Sequence, residues 1–513
     1  MKRIKKIGFI LIFLFVLVSC KENEIIDPIE TKPTEAQQTT PTVEEQIKVH
    51  FDTDGGTYLS SLRLTDKSLI DAPEIPRKEG HVFLGFYQDK EVENRFSFAE
   101  DMIEQTTTLY AKWRDDIDYT KSFKILSIGN SFSQDAHKYL YDIARSYGID
   151  QEAIVIANMY VGGAELSQHV DYLNRDLKLY DYQVYRNGYF EIVPQKKLSE
   201  AITLEDWDVI TFQQASHYSG MASSFANFLP TLITWARENA TNPNLKIGWH
   251  MTWAYEQTST HSGFNNYGNF QVRMVSAIEE TLTKKVFPTA GINFVIPSGA
   301  AIQNARTSFL GDTLTRDGYH LKDPIGRYIA SLTFFKAVTG YKIDEIAFRP
   351  ILVSELEKSV AIESANNAYE SVKVTLSNFK EDTREEEGHI DTELMFVSGY
   401  WNVGNYSIVP GDDDFSQQFI ASNVLSKNYF KDFKGLTIEA GYKVRVIYLT
   451  FDGKDQYYVS LRTEYLTGTS EFEQLKDWSN YDYIAFNIAA ISGKTIHKEV
   501  NEAASKLSFI TKD

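Results

Sequence analysis

Apolar positions along this chain follow two rhythms, and the rhythm changes twice. In the middle, short apolar runs alternate with stretches of helical period. Residues 123–128 (Phe-Lys-Ile-Leu-Ser-Ile), 153–157, 207–212, 245–250 and 292–296 read as buried strands. Residues 134–147, with Leu140, Ile143 and Ala144 on one face, read as an amphipathic helix, and so do 225–239, 300–309, 324–338 and 355–379. Strands separated by helices predict an α/β domain over residues 120–385, with a doubly wound parallel sheet and right-handed crossovers. Residues 171–200 break the alternation and read as an inserted β-hairpin. Its Tyr180, Tyr182, Tyr185, Tyr189 and Phe190 either face a ligand over the sheet edge or, as we favour, pack against the body.

On both flanks the apolar runs read as strands. Residues 47–115 combine Val49 and Phe51, the turn Asp54-Gly55-Gly56, and the apolar runs 80–87 and 108–113 into a compact β module. After the charged linker 380–388, residues 391–513 carry short strands with turns at Gly441, Gly453 and Gly468, which predicts a β-sandwich. Gly411-Asp412-Asp413-Asp414 either holds calcium or is a solvated loop, and the second reading is favoured.

The first residues are of another kind. Lys2, Arg3, Lys5 and Lys6 precede an apolar run over 7–18, too short to span a bilayer, which needs about 20 residues. The run ends Leu17-Val18-Ser19-Cys20, which resembles a bacterial lipobox, and Cys20 is the only cysteine of the chain. Intramolecular disulfides and CxxC metal sites are therefore excluded. The expectation is a signal peptide over 1–20, a lipid on Cys20, and a flexible tether over 21–46. The mature protein would then sit on the outer face of a bacterial membrane. A net charge of −18 and a pI near 5.1 exclude nucleic acid as a partner. The 30 Tyr, 32 Phe and 7 Trp leave aromatic side chains to spare for sugar rings.

Two places carry candidate chemistry. Ser131, in Gly129-Asn130-Ser131-Phe132-Ser133, stands where a buried strand ends and a helix begins, the edge at which open α/β sheets place ligands. Asp317-Gly318-Tyr319-His320 precedes a later helix, and its spacing lets the carboxylate reach one ring nitrogen while the other stays free. Histidine suits a base because its pKa of ~6.5 lets it take and return a proton near neutrality. Taken singly, each motif also fits a helix cap.

Their order and context resemble the SGNH, or GDSL-like, hydrolases across residues 120–385, in a branch that writes the first block Gly-Asn-Ser-Phe-Ser. Residues 47–113 resemble the internalin-type B repeat, a small β-grasp-like fold. The resemblance implies a flavodoxin-like three-layer domain with Ser131 as nucleophile, His320 as base and Asp317 as orienting acid. It implies an oxyanion hole from the Ser131 N–H and from Gly163, or Gly162, in the second block. The third block departs from the family pattern: no Asn follows strand 207–212, and Gln213 and Gln214 stand there instead. A Gln amide offers the same donors on a longer arm. Side chains alternate faces, so one of Gln213 and Gln214 is the expected donor, with Gln213 preferred. His217 is another candidate donor, and Gln214, His217 and Trp253 are expected to line the pocket. A metal site from His169, His217, His250 and His261 is conceivable, but the irregular spacing argues against it. No metal or cofactor is expected.

The resulting expectation is a surface-anchored serine esterase that removes O-acetyl or other acyl groups from glycans. The competing reading is a non-catalytic, carbohydrate-binding surface adhesin. The repeat and the C-terminal domain would supply further glycan or protein contacts.

Overall fold

The computed structural model describes residues 46–350, 353–383, 396–402, 407–410, 418–451, 457–496 and 500–512. The expected signal peptide, Cys20 and the Gly411–Asp414 loop lie outside the described residues. Among the described residues, no helix is long and apolar enough to cross a membrane.

The N-terminal module is a four-stranded sheet of β1 (Ile47–Asp52), β2 (Leu62–Leu64), β3 (His81–Tyr87) and β4 (Thr107–Asp115), in the order β2-β1-β4-β3. β1 and β4 run parallel, so the chain crosses between them through β2 and β3. Val49, Phe83, Phe86 and Leu109 form its core. Trp113 closes the first turn by donating its indole N–H to the Thr53 carbonyl at 3.0 Å. Gly56 has to be glycine here, because a Cβ would stand 2.6 Å from the Trp113 ring.

The central sheet holds β5 (Phe123–Gly129), β6 (Ile154–Tyr160), β7 (Tyr180–Arg186), β8 (Tyr189–Lys196), β9 (Val209–Phe212), β10 (Lys246–His250) and β11 (Phe294–Ile296). Their order is β11-β10-β9-β5-β6-β7-β8. The first five are parallel, as the alternation of strands and helices requires. The hairpin β7–β8 adds antiparallel strands to the β6 edge rather than folding over the site. Tyr180 and Tyr182 are buried, so these aromatics pack.

The helices are α1 (Ser131–His137), α2 (Leu140–Ser146), α3 (Leu166–Asn174), α4 (Leu198–Ala201), α5 (Phe228–Asn239), α6 (Gln271–Thr281), α7 (Ser298–Arg306), α8 (Ile325–Thr339) and α9 (Glu355–Glu370). The single helix expected over 134–147 is two, and the first begins three residues earlier because Asn130 caps it. α6 went unread, although Met274, Val275 and Ile278 give it a buried face. α9 stops at Glu370, short of the expected 379. α8 is buried almost all round and packs against α1, α2, α7 and α9, which places it in the middle of one helical layer.

In the C-terminal third, a larger sheet including Tyr442–Phe451 and Tyr483–Ala490 faces a three-stranded one built on Phe433–Ile438. Leu436, Ile438, Val446, Tyr448, Phe486 and Ile488 form one core between them, so the arrangement is the expected two-layer one.

Candidate active site

Buried β5 delivers the chain to the carboxyl edge of the sheet between β6 and β9, where successive connections leave in opposite directions. There Asn130 turns strand into helix: its side-chain oxygen accepts the Phe132 N–H at 3.0 Å, which caps α1 and leaves Ser131 as its first residue. Gly129 is needed before the cap, since a Cβ would stand 2.4 Å from Ser133 Oγ.

The loop from Thr315 to Leu321 folds back on itself through a bridge between those two residues and through Arg316 N–H to the His320 carbonyl at 2.9 Å. Gly318 takes φ +89, which its missing side chain permits at the tip. This brings Asp317 Oδ2 to 2.6 Å from His320 Nδ1, and His320 Nε2 to 2.7 Å from Ser131 Oγ. A carboxylate only accepts, so Nδ1 carries the ring proton and Nε2 is the free acceptor facing the serine hydroxyl. Burial pushes the Asp317 carboxyl up. Hydrogen bonds from the ring and N–H of His320 and from the Tyr319 N–H, with the attraction of the imidazole's charge, outweigh this and hold it below the usual carboxylate value.

The loop after β6 lies beside Ser131. Val161 N–H reaches the Gly129 carbonyl at 3.3 Å, and Asn130 Nδ2 donates to the Ala164 carbonyl at 3.3 Å. Gly163 adopts φ +66. Among the described residues, its N–H and that of Ser131 enter none of the backbone hydrogen bonds of the turns and loops. Both therefore remain available as donors.

Gln213 does something other than expected. It is buried, with Nε2 donating to Asn130 Oδ1 at 2.7 Å and Oε1 3.1 Å from His250 Nδ1. The amide is spent on the cap and is not directed at the reacting carbonyl. Gln214 is buried too: Nε2 donates to the carbonyl and hydroxyl of Ser224, and Oε1 accepts the N–H groups of Leu166 and Ala215. Trp253 is fully buried, stacked on Phe132 at 4.4 Å, and its indole N–H holds the Tyr319 carbonyl at 2.7 Å. It braces the Thr315–Leu321 loop through Tyr319. Neither glutamine nor this tryptophan is placed to touch substrate.

His217 is brought to the rim. Its Nε2 lies 3.8 Å from Glu165 Oε1, and its ring is 6.0 Å from that of His261. The Tyr319 ring bridges from His261, at 4.7 Å, to His320, at 4.2 Å. Burial holds both rim imidazoles below their ordinary value, for His217 against the pull of Glu165. Glu165 carries no sequence signal for this place; Tyr319 stands inside the Asp317–His320 motif and His261 among the histidines weighed for a metal, but neither pattern shows that they meet here. His169 and His250 are buried elsewhere, on Tyr180 and on Gln213 with Ser298. Among the described residues, no group of three His, Cys, Asp or Glu side chains could hold a metal.

Two known families match the chain. The family described as a domain of unknown function (DUF4886) matches residues 124–368. The Listeria-Bacteroides repeat domain matches residues 48–112, in place of the internalin-type B repeat expected there. A DUF4886 family protein from Bacteroides uniformis is 39% identical, over 50% of this chain and 97% of its own, with a TM-score of 0.48. A protein described as an SGNH hydrolase from Slackia heliotrinireducens is 20% identical, over 42% of this chain and 98% of its own, with a TM-score of 0.28. An acetylxylan esterase from Geobacillus stearothermophilus is 10% identical, over 43% and 96%, with a TM-score of 0.27. Two relatives from Evansella cellulosilytica, named as membrane proteins, are 43% and 42% identical over 75 and 76 residues. The chain spans 9% and 11% of their lengths.

Proposed function

In a chain that belongs to the DUF4886 family over residues 124–368, we propose that Ser131, His320 and Asp317 hydrolyse esters by acyl transfer. The observation that carries this reading is the unbroken relay at 2.7 and 2.6 Å from the serine hydroxyl through the imidazole to the carboxylate. As His320 Nε2 takes its proton, Ser131 Oγ forms a bond to the ester carbonyl carbon. Negative charge collects on the carbonyl oxygen, where the N–H groups of Ser131 and Gly163 meet it. When the tetrahedral intermediate collapses, the bond to the alcohol breaks and His320 returns the proton to the departing oxygen. Water then attacks the acyl-serine as His320 takes its proton; the acyl–Oγ bond breaks, His320 returns the proton to Ser131 Oγ, and the acid leaves. Asp317 keeps the imidazole in the required tautomer and steadies it while charged.

The substrate we propose is an acylated glycan, most simply an acetylated one. The supporting feature is the rim: Glu165, His217, His261 and Tyr319 offer hydroxyl-binding groups and aromatic faces rather than an apolar slot for an acyl chain. The Leu17-Val18-Ser19-Cys20 sequence supports a further reading, that a lipid on Cys20 tethers the mature protein to the cell surface.

Purified protein is expected to release acetate from at least one member of a panel of acetylated glycans. Ser131→Ala and His320→Ala should each abolish nearly all of it, and the double variant should be scarcely worse than either, because residues acting as a unit are strongly non-additive. Wild-type protein that binds the glycans and releases no acetate would be an adhesin instead.

A further inference from the structure

α1 turns a second side chain toward the base loop. Asp135 follows Ser131 by four residues, which places it one turn below on the same helix face. Its carboxylate is completely buried and is met from three directions. The N–H of Leu321, the residue after His320, donates to Oδ2 at 2.8 Å. Arg316, the residue before Asp317, places Nη1 at 3.2 and 3.3 Å from the two oxygens and also donates to the Leu321 carbonyl at 2.5 Å. Arg327, on α8, donates its Nε–H to Oδ1 at 2.9 Å. Arg327 Nη1 is also 3.4 Å from Asp323 Oδ2, and the other Asp323 oxygen accepts the hydroxyl of Tyr139, just beyond α1. Both ends of the segment 316–323 are thus tied to the stretch of chain that carries the nucleophile.

We propose that Asp135 is the positioning residue of this active site: through Arg316, Arg327 and the Leu321 N–H, it holds the base loop at the height on α1 where His320 Nε2 meets Ser131 Oγ. The proposal rests on the esterase reading above. Ser131 and His320 are 189 residues apart in the chain, so no local geometry sets their separation. Ser131–His320 and Asp135–Leu321 are successive rungs between the same two segments, and a slip at one displaces the other. Stability alone does not call for a buried ion cluster, since apolar replacements often hold a fold as well. Apolar contact is non-directional, however, and lets a loop slide. Converging charge-assisted hydrogen bonds fix its register. A misplacement of about 1 Å can cost about 100-fold in rate.

Arg316 offers the cleanest test, because its side chain is 38% exposed and its removal leaves Asp135 paired with Arg327. In the full chain, Arg316→Ala should lower kcat for p-nitrophenyl acetate ~10- to 100-fold, with KM within about twofold. It should slow covalent labelling of Ser131 by a fluorophosphonate by a similar factor, at temperatures well below its Tm. Arg316→Lys keeps a charge beside Asp135 but replaces the planar guanidinium by an ammonium on a flexible stem, so it should recover part of the loss. Val360→Ala, which trims the core on α9, lowers Tm without touching the loop and should keep the wild-type kcat. Should Arg316→Ala fail to fold, Asp135→Asn, which retains an oxygen for the Leu321 N–H, carries the same expectation. A variant with lowered Tm but wild-type kcat and labelling rate would reduce the cluster to a structural ion pair and overturn the proposal. Wild-type protein that neither hydrolyses the ester nor takes up the fluorophosphonate would overturn the esterase reading, and the positioning role with it.

Discussion

Gln213 shows how a plausible donor is diverted by its surroundings. Its amide joins the Asn130 cap to the neutral imidazole of His250, so its loss strips the buried His250 Nδ1 of its partner and leaves Asn130 Oδ1 with the Phe132 N–H alone. Gln213→Ala should therefore destabilise the fold by about 1–3 kcal/mol, measured by urea denaturation. The deficit in single-turnover rate should stay well below the roughly 10²–10³ that a missing oxyanion donor costs. Asp317 offers a second test. Its hydrogen bonds keep it a carboxylate below the range in which ordinary carboxylates titrate. While Asp317 stays ionised, log kcat/KM should fall on acidification with a slope no steeper than one. A slope of two would show Asp317 taking up a proton as well. Asp317→Asn should lower kcat by about 10²–10⁴, since the wrong tautomer is then allowed. Its half-exposed position argues for the lower end.

The elements beneath the site are joined by uncharged polar side chains. His137 on α1 meets Ser127 of β5 at 2.9 Å, and Ser127 meets Thr211 of β9 at 2.7 Å. His250 at the end of β10 meets Ser298 of α7 at 3.0 Å. Burial pushes His137 and His250 down to about 3, and the neighbouring His250 adds to the effect on His137. Unfolded, each titrates near ~6.5, so below that pH the unfolded chain binds protons that the folded one refuses. The stability they contribute is complete above ~6.5 and is lost as pH falls toward about 3. Each should cost up to about 1.4 kcal/mol per pH unit through that window. Denaturation at pH 7.5 and 5 should show the slope, and His137→Gln with His250→Gln should flatten it. The junction of β5 and α1 is equally demanding. Gly129→Ala would drive a Cβ against Ser133 Oγ, a hydroxyl already held by Asn130 and Asn158, and should cost about 1–3 kcal/mol in thermal or urea unfolding.

Across the molecule, the N-terminal module is less of a bystander than a tethered repeat need be. Asn293, beside β11, donates its amide to the Phe83 carbonyl at 2.8 Å, and Arg77 donates to the Glu370 carbonyl at 2.9 Å. Just past β4, Asp116 lies 2.7 Å from Lys246, a fully buried lysine of β10 that also meets the Tyr119 hydroxyl and the Val338 carbonyl. Burial pulls that ammonium below its ordinary value, and Asp116 opposes the shift. Asp116→Ala should strand the charge and cost about 3–5 kcal/mol. By the same argument, a chain starting at residue 120 should melt below one starting at residue 46. Equal melting temperatures would show that the module adds nothing to the hydrolase-like domain.

Much of this was legible in the sequence alone. Period and punctuation are local properties, so the parallel strands, most of the helices, the flanking β regions, the serine at a strand–helix junction and the histidine ahead of a later helix could all be read from residue order. What hydrogen-bonds to what across the sheet is not local. Whether Gln213 faces a substrate or a cap, whether Trp253 lines a pocket or supports a loop, and whether the tyrosines of β7 meet a ligand or the core depended on neighbours far away in the chain. Tertiary packing decided each of these, because a buried amide or ring must first satisfy the polar atoms and surfaces nearest to it. The same packing set Asp135 against Arg316 and Arg327, a contact that no spacing in the sequence announces.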